Sequence, residues 1–163
     1  MKKLLVMILL VVGSFSFGDD MTNRWIRVRN SNNSLFTKEK TGYEVEEMIT
    51  FIQENKRKSD IIVVICEVDI YGETIVLGFN RNYKVTGTEG NCPVICQVDN
   101  KKKIVLKGSP SRYTLGIHEN TDKNVKNIIA QMKNGNKIKI TLKLNGKNET
   151  FVVPLKGLRA LYK

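Results

Sequence analysis

Residues 121–163 have the sequence TDKNVKNIIAQMKNGNKIKITLKLNGKNETFVVPLKGLRALYK, which contains the clearest structural signals in the chain. Thr121 is a suitable N-cap, because its hydroxyl can accept a hydrogen bond from a free backbone N–H of a first helical turn. Asn134 and Gly135 favour a left-handed stop. Between them, four apolar residues recur at the spacing of one helical face, which predicts a helix over residues 121–134. These apolar residues are Val125, Ile128, Ile129 and Met132.

The segment after this helix has the pattern of a β-hairpin. Apolar and polar residues alternate over residues 137–144, which is typical of a strand with one buried face. Asn145-Gly146 is the preferred pair for a two-residue type I′ turn, because both central residues need a positive φ. Pro154 should end the pairing, since it has no N–H to donate. The turn also predicts the register, with Leu144 opposite Lys147, Thr141 opposite Thr150, Ile140 opposite Phe151 and Ile138 opposite Val153.

The rest of the chain contains short β-like segments separated by turn residues. Residues 43–55 are ambiguous, because their apolar positions fit a helix while residues 48–52 have the β-branched and aromatic content of a strand; we prefer the strand. Regularly spaced short strands favour an antiparallel sandwich or barrel. The predicted fold is therefore mainly β, an antiparallel β-sandwich with one α-helix before a final hairpin. The other predicted strands are residues 24–29, 61–66, 73–79, 93–99, 104–107 and 112–118.

The beginning of the sequence predicts export. Two lysines precede an apolar run at residues 4–12, and Ser16 and Gly18 then occupy the −3 and −1 positions of a plausible cleavage site. This pattern indicates a secretory signal peptide over residues 1–18. The apolar run is shorter than the ~20 residues that a membrane-spanning helix needs. Residues 19–163 have the size of one domain, so we expect a single-domain periplasmic or secreted protein, and its Lys-, Asn- and Ile-rich composition is typical of an AT-rich bacterial genome.

The basic composition suggests one candidate binding surface. The net charge of +11 is unevenly distributed, with clusters of lysine in a turn and along one strand. Such clusters can bind nucleic acid, anionic glycans or anionic lipid headgroups. No aromatic residues interleave these lysines as a base-stacking platform requires, so we expect no specific nucleic-acid partner. The competing interpretation is a solubilising surface that blunts sheet edges. The candidate anion-binding residues are Lys101, Lys102, Lys103, Lys137, Lys139 and Lys143.

The three cysteines are disulfide candidates. Exported proteins form disulfides, but three cysteines leave one unpaired thiol. On one extended strand the α-carbons of Cys92 and Cys96 would lie ~13 Å apart, whereas a disulfide needs less than about 7 Å. We therefore expect Cys66 to pair with Cys92 or Cys96. Two alternatives stay open: a loop at Pro93 that folds Cys92 back, and three reduced thiols in the core.

Catalytic chemistry is not expected. His118 is the sole histidine, it precedes Glu119, and the sequence lacks a nucleophile motif such as G-x-S-x-G. A zinc site is disfavoured, since the C-x3-C spacing of Cys92 and Cys96 differs from the usual C-x2-C. The sequence also lacks a Gly-rich phosphate loop. We therefore predict a protein that is not an enzyme and that has no catalytic, cofactor-binding or metal-binding residues.

The order of elements supports a family resemblance. A first strand led by Trp25 is followed by an apolar strand that ends in Cys66, and a helix precedes the final hairpin. In this order the chain resembles small exported β-sandwich proteins associated with type VI secretion and, more loosely, the invasion-associated locus B family. It differs from them in Cys92 and Cys96, and in Ile65 where an arginine often precedes the strand-end cysteine. The resemblance implies a β-sandwich without established catalytic residues. It also rests on Phe151, Gly157, Leu158 and Ala160 in the last segment.

These observations predict a non-enzymatic binding or accessory module of the cell envelope. A protein partner is expected, as for an adaptor in secretion or attachment or an inhibitor of an envelope enzyme. The alternative is a cationic factor that adheres to anionic glycan, lipopolysaccharide or a host surface. An enzyme of unknown type ranks third.

Overall fold

The structure is a computed structural model that describes residues 24–29, 47–55, 60–69, 72–79, 83–88, 91–111 and 114–162. The predicted signal peptide at residues 1–18 lies outside the described residues, as do residues 43–46 and 112–113 of two predicted strands. Nine strands and two helices occur within the described ranges. They are β1 Trp25–Arg29, β2 Glu47–Asn55, β3 Asp60–Asp69, β4 Gly72–Phe79, β5 Cys92–Val98, β6 Ile104–Pro110, β7 Thr114–His118, α1 Asn124–Lys133, β8 Lys137–Leu144, β9 Lys147–Pro154 and α2 Leu158–Leu161.

The nine strands form one continuous antiparallel sheet in the order β1-β2-β3-β4-β7-β6-β5-β8-β9. Strand β6 joins the two halves, because residues 104–108 pair with β5 while Ser109 and Pro110 pair with β7. The mainly β prediction is confirmed, and so is the choice of a strand at residues 47–55. A sandwich of two separate sheets is not confirmed, because the pairing runs unbroken through all nine strands.

The sheet curls until its two edge strands approach each other. The indole Nε1 of Trp25 in β1 donates a hydrogen bond to the carbonyl oxygen of Pro154 in β9, at 2.8 Å. The Trp25 side chain is buried, and its ring centroid lies 5.2 Å from that of Phe51 in β2. Helix α2 also contacts β1. The first and last strands therefore enclose a common core.

Helix α1 packs with one face against the inner side of the curled sheet. It contacts β4, β5 and β6, and its apolar side chains belong to the same buried cluster as the inward residues of these strands. The predicted stripe is therefore confirmed as the buried face, which consists of Val125, Ile128, Ile129 and Met132.

The predicted N-cap of α1 is wrong. The N-cap position is Lys123, whose side chain makes no capping hydrogen bond. The Thr121 hydroxyl instead donates to the carbonyl oxygen of His118, at 2.9 Å. Oδ1 of Asp122 accepts a hydrogen bond from the Asn124 N–H, at 3.0 Å. A carboxylate next to the predicted threonine thus satisfies a free N–H at the start of the helix.

The C-terminal hairpin follows the predicted register. All four predicted residue pairs are opposite each other in β8 and β9, and Pro154 is the last residue of β9. Asn145 and Gly146 adopt φ values of 50° and 80°, as a type I′ turn requires. The backbone of residues 83–88 runs beside the tip of β8, where the Thr86 N–H donates to the Lys143 carbonyl oxygen at 3.0 Å. Strand β8 is thus flanked on both sides along its length.

Candidate binding surface

The lysines predicted to bind anions lie on or beside one exposed face of the sheet. Alternate residues of β5 and β8 are buried, so the residues between them face outward. Lys137, Lys139 and Lys143 occupy outward positions of β8 and are exposed. Lys101, Lys102 and Lys103 are exposed in the turn between β5 and β6. We use the term outer face for the outward residues of β6, β5, β8 and β9, which include Pro93, Ile95, Gln97, Val105, Lys107, Lys137, Lys139, Thr141, Lys143, Thr150 and Val152.

The strand register arranges the outer face in rows. Ile95 lies opposite Val105 in β6 and opposite Thr141 in β8, and Thr141 lies opposite Thr150 in β9. With ~4.8 Å between neighbouring strands, these residues form a row of methyl and hydroxyl groups across the face.

Lysines flank this central row on both sides. Lys139 lies opposite both Gln97 and Val152 in the row on one side. On the other side, Lys143 lies opposite Asn148, and Lys107 lies opposite Pro93. The positive charge therefore surrounds an uncharged centre.

Three exposed apolar side chains lie on the outer face, two of them in the central row and one in the row of Lys139. Val105 is 55%, Val152 45% and Ile95 36% exposed. Among the residues whose burial is described, these are the large apolar side chains that stand out into solvent, and all three lie on this face. The hydroxyl groups of Thr141 and Thr150 are hydrogen-bonded to each other, at 2.8 Å. The face therefore presents mainly ammonium and methyl groups.

No carboxylate occupies an outward position of these four described strands. Glu149 lies opposite Leu142, whose side chain is buried on the inner side of the sheet. Asp99 follows β5, where its carboxylate accepts hydrogen bonds from the backbone N–H groups of Asn136 and Lys137, at 3.1–3.2 Å. The lysines of the outer face therefore add to a positive potential that favours anionic partners.

Lys107 and the three exposed apolar residues were missed by sequence reasoning. An apolar residue within a strand suggests burial, and Lys107 stands alone in its segment of the sequence. The alternation of Cys92, Val94 and Cys96 on the buried side of β5 was the available signal, because it places Ile95 on the opposite side.

The predicted disulfide between Cys66 and Cys92 or Cys96 is not formed. Cys92 and Cys96 are buried thiols on the inward side of β5. Pro93 continues the same extended strand, so the structure also lacks the loop that would fold Cys92 back. Cys66 belongs to β3, and the position of its side chain is not among those described. Strands β4, β7 and β6 separate β3 from β5 in the sheet. This separation is ~19 Å along the sheet.

The environment of Cys92 disfavours its thiolate form. Its Sγ donates to the carbonyl oxygen of Thr86, at 3.5 Å. Burial raises the pKa of the Cys92 thiol, because the charged thiolate loses its hydration. The thiolate is the nucleophilic form, so this cysteine is suited to packing.

The polar groups around His118 tie three elements together. Nδ1 of His118 in β7 lies 3.1 Å from the hydroxyl oxygen of Thr74, a fully buried residue of β4. Glu119 accepts a hydrogen bond from the Glu73 N–H of β4, at 3.0 Å, and lies 2.7 Å from the ammonium group of Lys126 in α1. These contacts connect the end of the sheet to the helix.

We expect the Glu119 contacts to make stability depend on acid pH. The hydrogen bond from Lys126, followed by the one from the Glu73 N–H, holds the pKa of the Glu119 carboxyl below its ordinary value of 4.5. Because the carboxyl has a lower pKa in the folded state, its ionised form stabilises the fold at pH values above 4.5. This stabilisation is lost as the pH falls from 4.5 through the lower pKa of the folded state. The melting temperature of Glu119→Gln should therefore fall less steeply below pH 4.5 than that of the unmodified protein, as measured by circular dichroism.

Lys126→Gln provides the matched variant for this experiment. It removes the main cause of the lowered Glu119 pKa while leaving the carboxyl in place. Its acid profile should therefore lie between that of Glu119→Gln and that of the unmodified protein, because the Glu73 N–H still lowers the pKa of the carboxyl. If both variants kept the full acid dependence, these contacts would not contribute to it.

Among the described residues, no group of three or more His, Cys, Asp or Glu side chains is arranged to hold a metal ion. Nor does any helix in the described ranges have the length and apolar character needed to cross a membrane. Comparison of the chain with protein-family models, curated proteins and solved structures gave no match.

Proposed function

We propose that this chain is an exported, non-enzymatic binding module of the cell envelope, and that it binds an anionic partner through its outer face. The observation that carries this proposal is the concentration of exposed lysines around an uncharged row, on a face whose described outward positions include no carboxylate. Export rests on the predicted signal peptide at residues 1–18.

The geometry favours binding over chemistry. The outer face is built on paired strands, so its lysines are held at fixed spacing, and opposite charges on a partner can match them without rearrangement of the backbone. The groups with catalytic potential serve other contacts: Cys92 is a buried thiol, and the Glu119 carboxylate contacts Lys126. An envelope module without enzymatic activity is the function most consistent with these contacts.

A protein-binding adaptor or inhibitor is the second candidate. The exposed apolar side chains Ile95, Val105 and Val152 support it, since exposed apolar side chains with polar neighbours are typical of protein–protein interfaces. Such a complex would resist salt, whereas binding carried by the lysines alone weakens as salt screens the charges.

Removal of two lysines from the outer face tests the proposal. We expect Lys139→Gln/Lys143→Gln to elute from heparin at lower salt than the unmodified protein, because both positive groups lie next to the central row. The matched control is Lys123→Gln/Lys156→Gln, which removes two exposed lysines that precede the two helices and belong to none of the four strands of the outer face. Equal elution of the two variants would contradict the proposal, as would an unmodified protein that does not bind.

A further inference from the structure

We infer that the partner of the outer face is the surface of an anionic lipid bilayer. The lysines contact the headgroup phosphates, and the exposed aliphatic side chains enter the boundary between headgroups and acyl chains. This inference rests on the proposed function and adds the class of partner.

The exposed aliphatic side chains favour a lipid surface over a soluble polyanion. Val105 and Ile95 are directly opposite each other, and Val152 is on the same face two strands from Ile95. Contact of these apolar side chains with water is unfavourable, and binding of a soluble polyanion to the lysines would leave most of this apolar surface in water. A membrane boundary removes such methyl groups from water while the lysines remain near the phosphates. The coincidence of exposed methyl groups and lysines is therefore best matched by a lipid surface.

The use of lysine for the positive charges also favours a lipid surface. A lysine ammonium is a compact point charge on a flexible stem, which suits mobile lipid phosphates better than one rigid bidentate ligand. Each lysine near an anionic membrane strengthens binding about fivefold. The outer face carries Lys107, Lys137, Lys139 and Lys143, and the adjacent turn carries three more. Their combined effect is enough for reversible binding to a membrane.

The remaining groups on the outer face disfavour a glycan. Sugar recognition uses oriented hydrogen-bonding side chains. On this face the Thr141 and Thr150 hydroxyls are bonded to each other, and the Gln97 amide donates to the Lys101 carbonyl oxygen. Asn148 on the edge strand is the remaining neutral amide of these outward positions. No aromatic residue occupies an outward position of these four described strands; Phe151, for example, lies opposite the inward residue Ile140. A platform for stacking on sugar rings or nucleic-acid bases is thus lacking on these strands.

The size of the outer face allows contact with several lipid headgroups. Four neighbouring strands span ~14 Å, and the distance along β8 from Lys137 to Lys143 is ~20 Å. Both dimensions exceed those of one lipid headgroup. The face can therefore contact several lipids at the same time, which is the condition under which weak individual contacts add up.

Vesicle co-sedimentation tests the inference on the full protein. Vesicles of phosphatidylglycerol with phosphatidylethanolamine should sediment the protein, whereas vesicles of phosphatidylcholine alone should not. Lys139→Gln/Lys143→Gln should weaken vesicle binding about 25-fold, from about fivefold for each lysine. The control Lys123→Gln/Lys156→Gln should bind as the unmodified protein does.

The variant Val105→Thr/Val152→Thr separates a lipid surface from other polyanions. Threonine keeps the shape and strand preference of valine, and both positions are exposed, so the fold should be retained. We expect weaker vesicle binding, by about fourfold for each methyl group that no longer enters the boundary, and unchanged elution from heparin.

The heparin and vesicle experiments test the proposed function and the lipid inference separately. Retention on heparin without vesicle binding would overturn the lipid inference and leave the proposed function intact, as would unchanged vesicle binding by the valine variant. Binding to neither heparin nor vesicles would overturn both. Trp25 is the only tryptophan and is buried in the core, so its emission should not shift when the protein binds. A red shift would indicate unfolding on the membrane and would also overturn the inference.

Discussion

Replacement of Trp25 by alanine is expected to lower the free energy of unfolding by about 3–5 kcal/mol. The side chain is 7% exposed, packs near Phe51, and donates its N–H to the Pro154 carbonyl oxygen at the meeting of the two edge strands. Alanine would leave a cavity there and would remove the contact that joins β1 to β9. Urea denaturation followed by circular dichroism measures the loss.

Trp25→Phe separates packing from hydrogen bonding at this position. Phenylalanine keeps most of the apolar volume but has no N–H for Pro154, so a loss of only about 1 kcal/mol is expected from the missing hydrogen bond. If the alanine and phenylalanine variants were equally stable, the buried volume would not be what stabilises the closure. An alanine variant as stable as the unmodified protein would contradict the closure itself.

Ile128→Ala is expected to cost about 2–5 kcal/mol. Ile128 is fully buried on the face of α1 that packs against the inner side of the curled sheet. Truncation there opens a cavity between the helix and the sheet, and close packing on both sides limits its collapse. Urea titration monitored by Trp25 fluorescence measures the effect, since that side chain lies in the same core cluster.

Asn127→Ala is the matched control on the same helix. Asn127 is exposed and makes one surface hydrogen bond, from the side-chain amide of Gln131. Alanine also has the higher helix propensity, so the net change should stay within about 0.5 kcal/mol. Equal losses for Asn127→Ala and Ile128→Ala would mean that the helix does not pack on the sheet through its apolar stripe.

The parts of the fold predicted from the sequence are those determined by neighbouring residues. Asn145 and Gly146 set the turn type, and the turn type sets the register of the whole hairpin. The stripe that includes Ile128 likewise needs only helical geometry to define its buried face. In both cases the decisive interactions lie within a few residues of each other.

The order of the strands in the sheet could not be predicted from interactions between neighbouring residues. The sequence indicates that β5 is a strand, but its neighbours β6 and β8 are selected by the packing of the whole core. The same limitation explains the expected sandwich: regular short strands are compatible with two sheets or with one curled sheet. At β6, residues 104–108 and Ser109 have different partner strands. Gly108 and Pro110 mark this point in the sequence, but they predicted the end of a strand after residue 107 and not a strand that continues with a new partner.

The candidate surface was predicted only in part for the same reason. Alternation along β8 was enough to place Lys137, Lys139 and Lys143 together. The apolar pair in the central row required knowledge of which strands lie beside β5, because Ile95 and Val105 become neighbours only through that pairing. The start of α1 was also not predictable in detail. Thr121 and Asp122 are both residue types that cap helices, and only the backbone conformation decides which of them accepts a hydrogen bond from the first helical turn.

The contact between Trp25 and Pro154 has a consequence for the order of folding. The two residues are separated by 129 positions, so the edges of the sheet cannot meet until β9 has left the ribosome. Long-range strand pairing is slow to form, because the chain must lose much conformational entropy before the contact stabilises it. During synthesis the chain therefore carries an incomplete core. We expect this delay to postpone closure of the sheet, which would favour the proposed export of an incompletely folded chain.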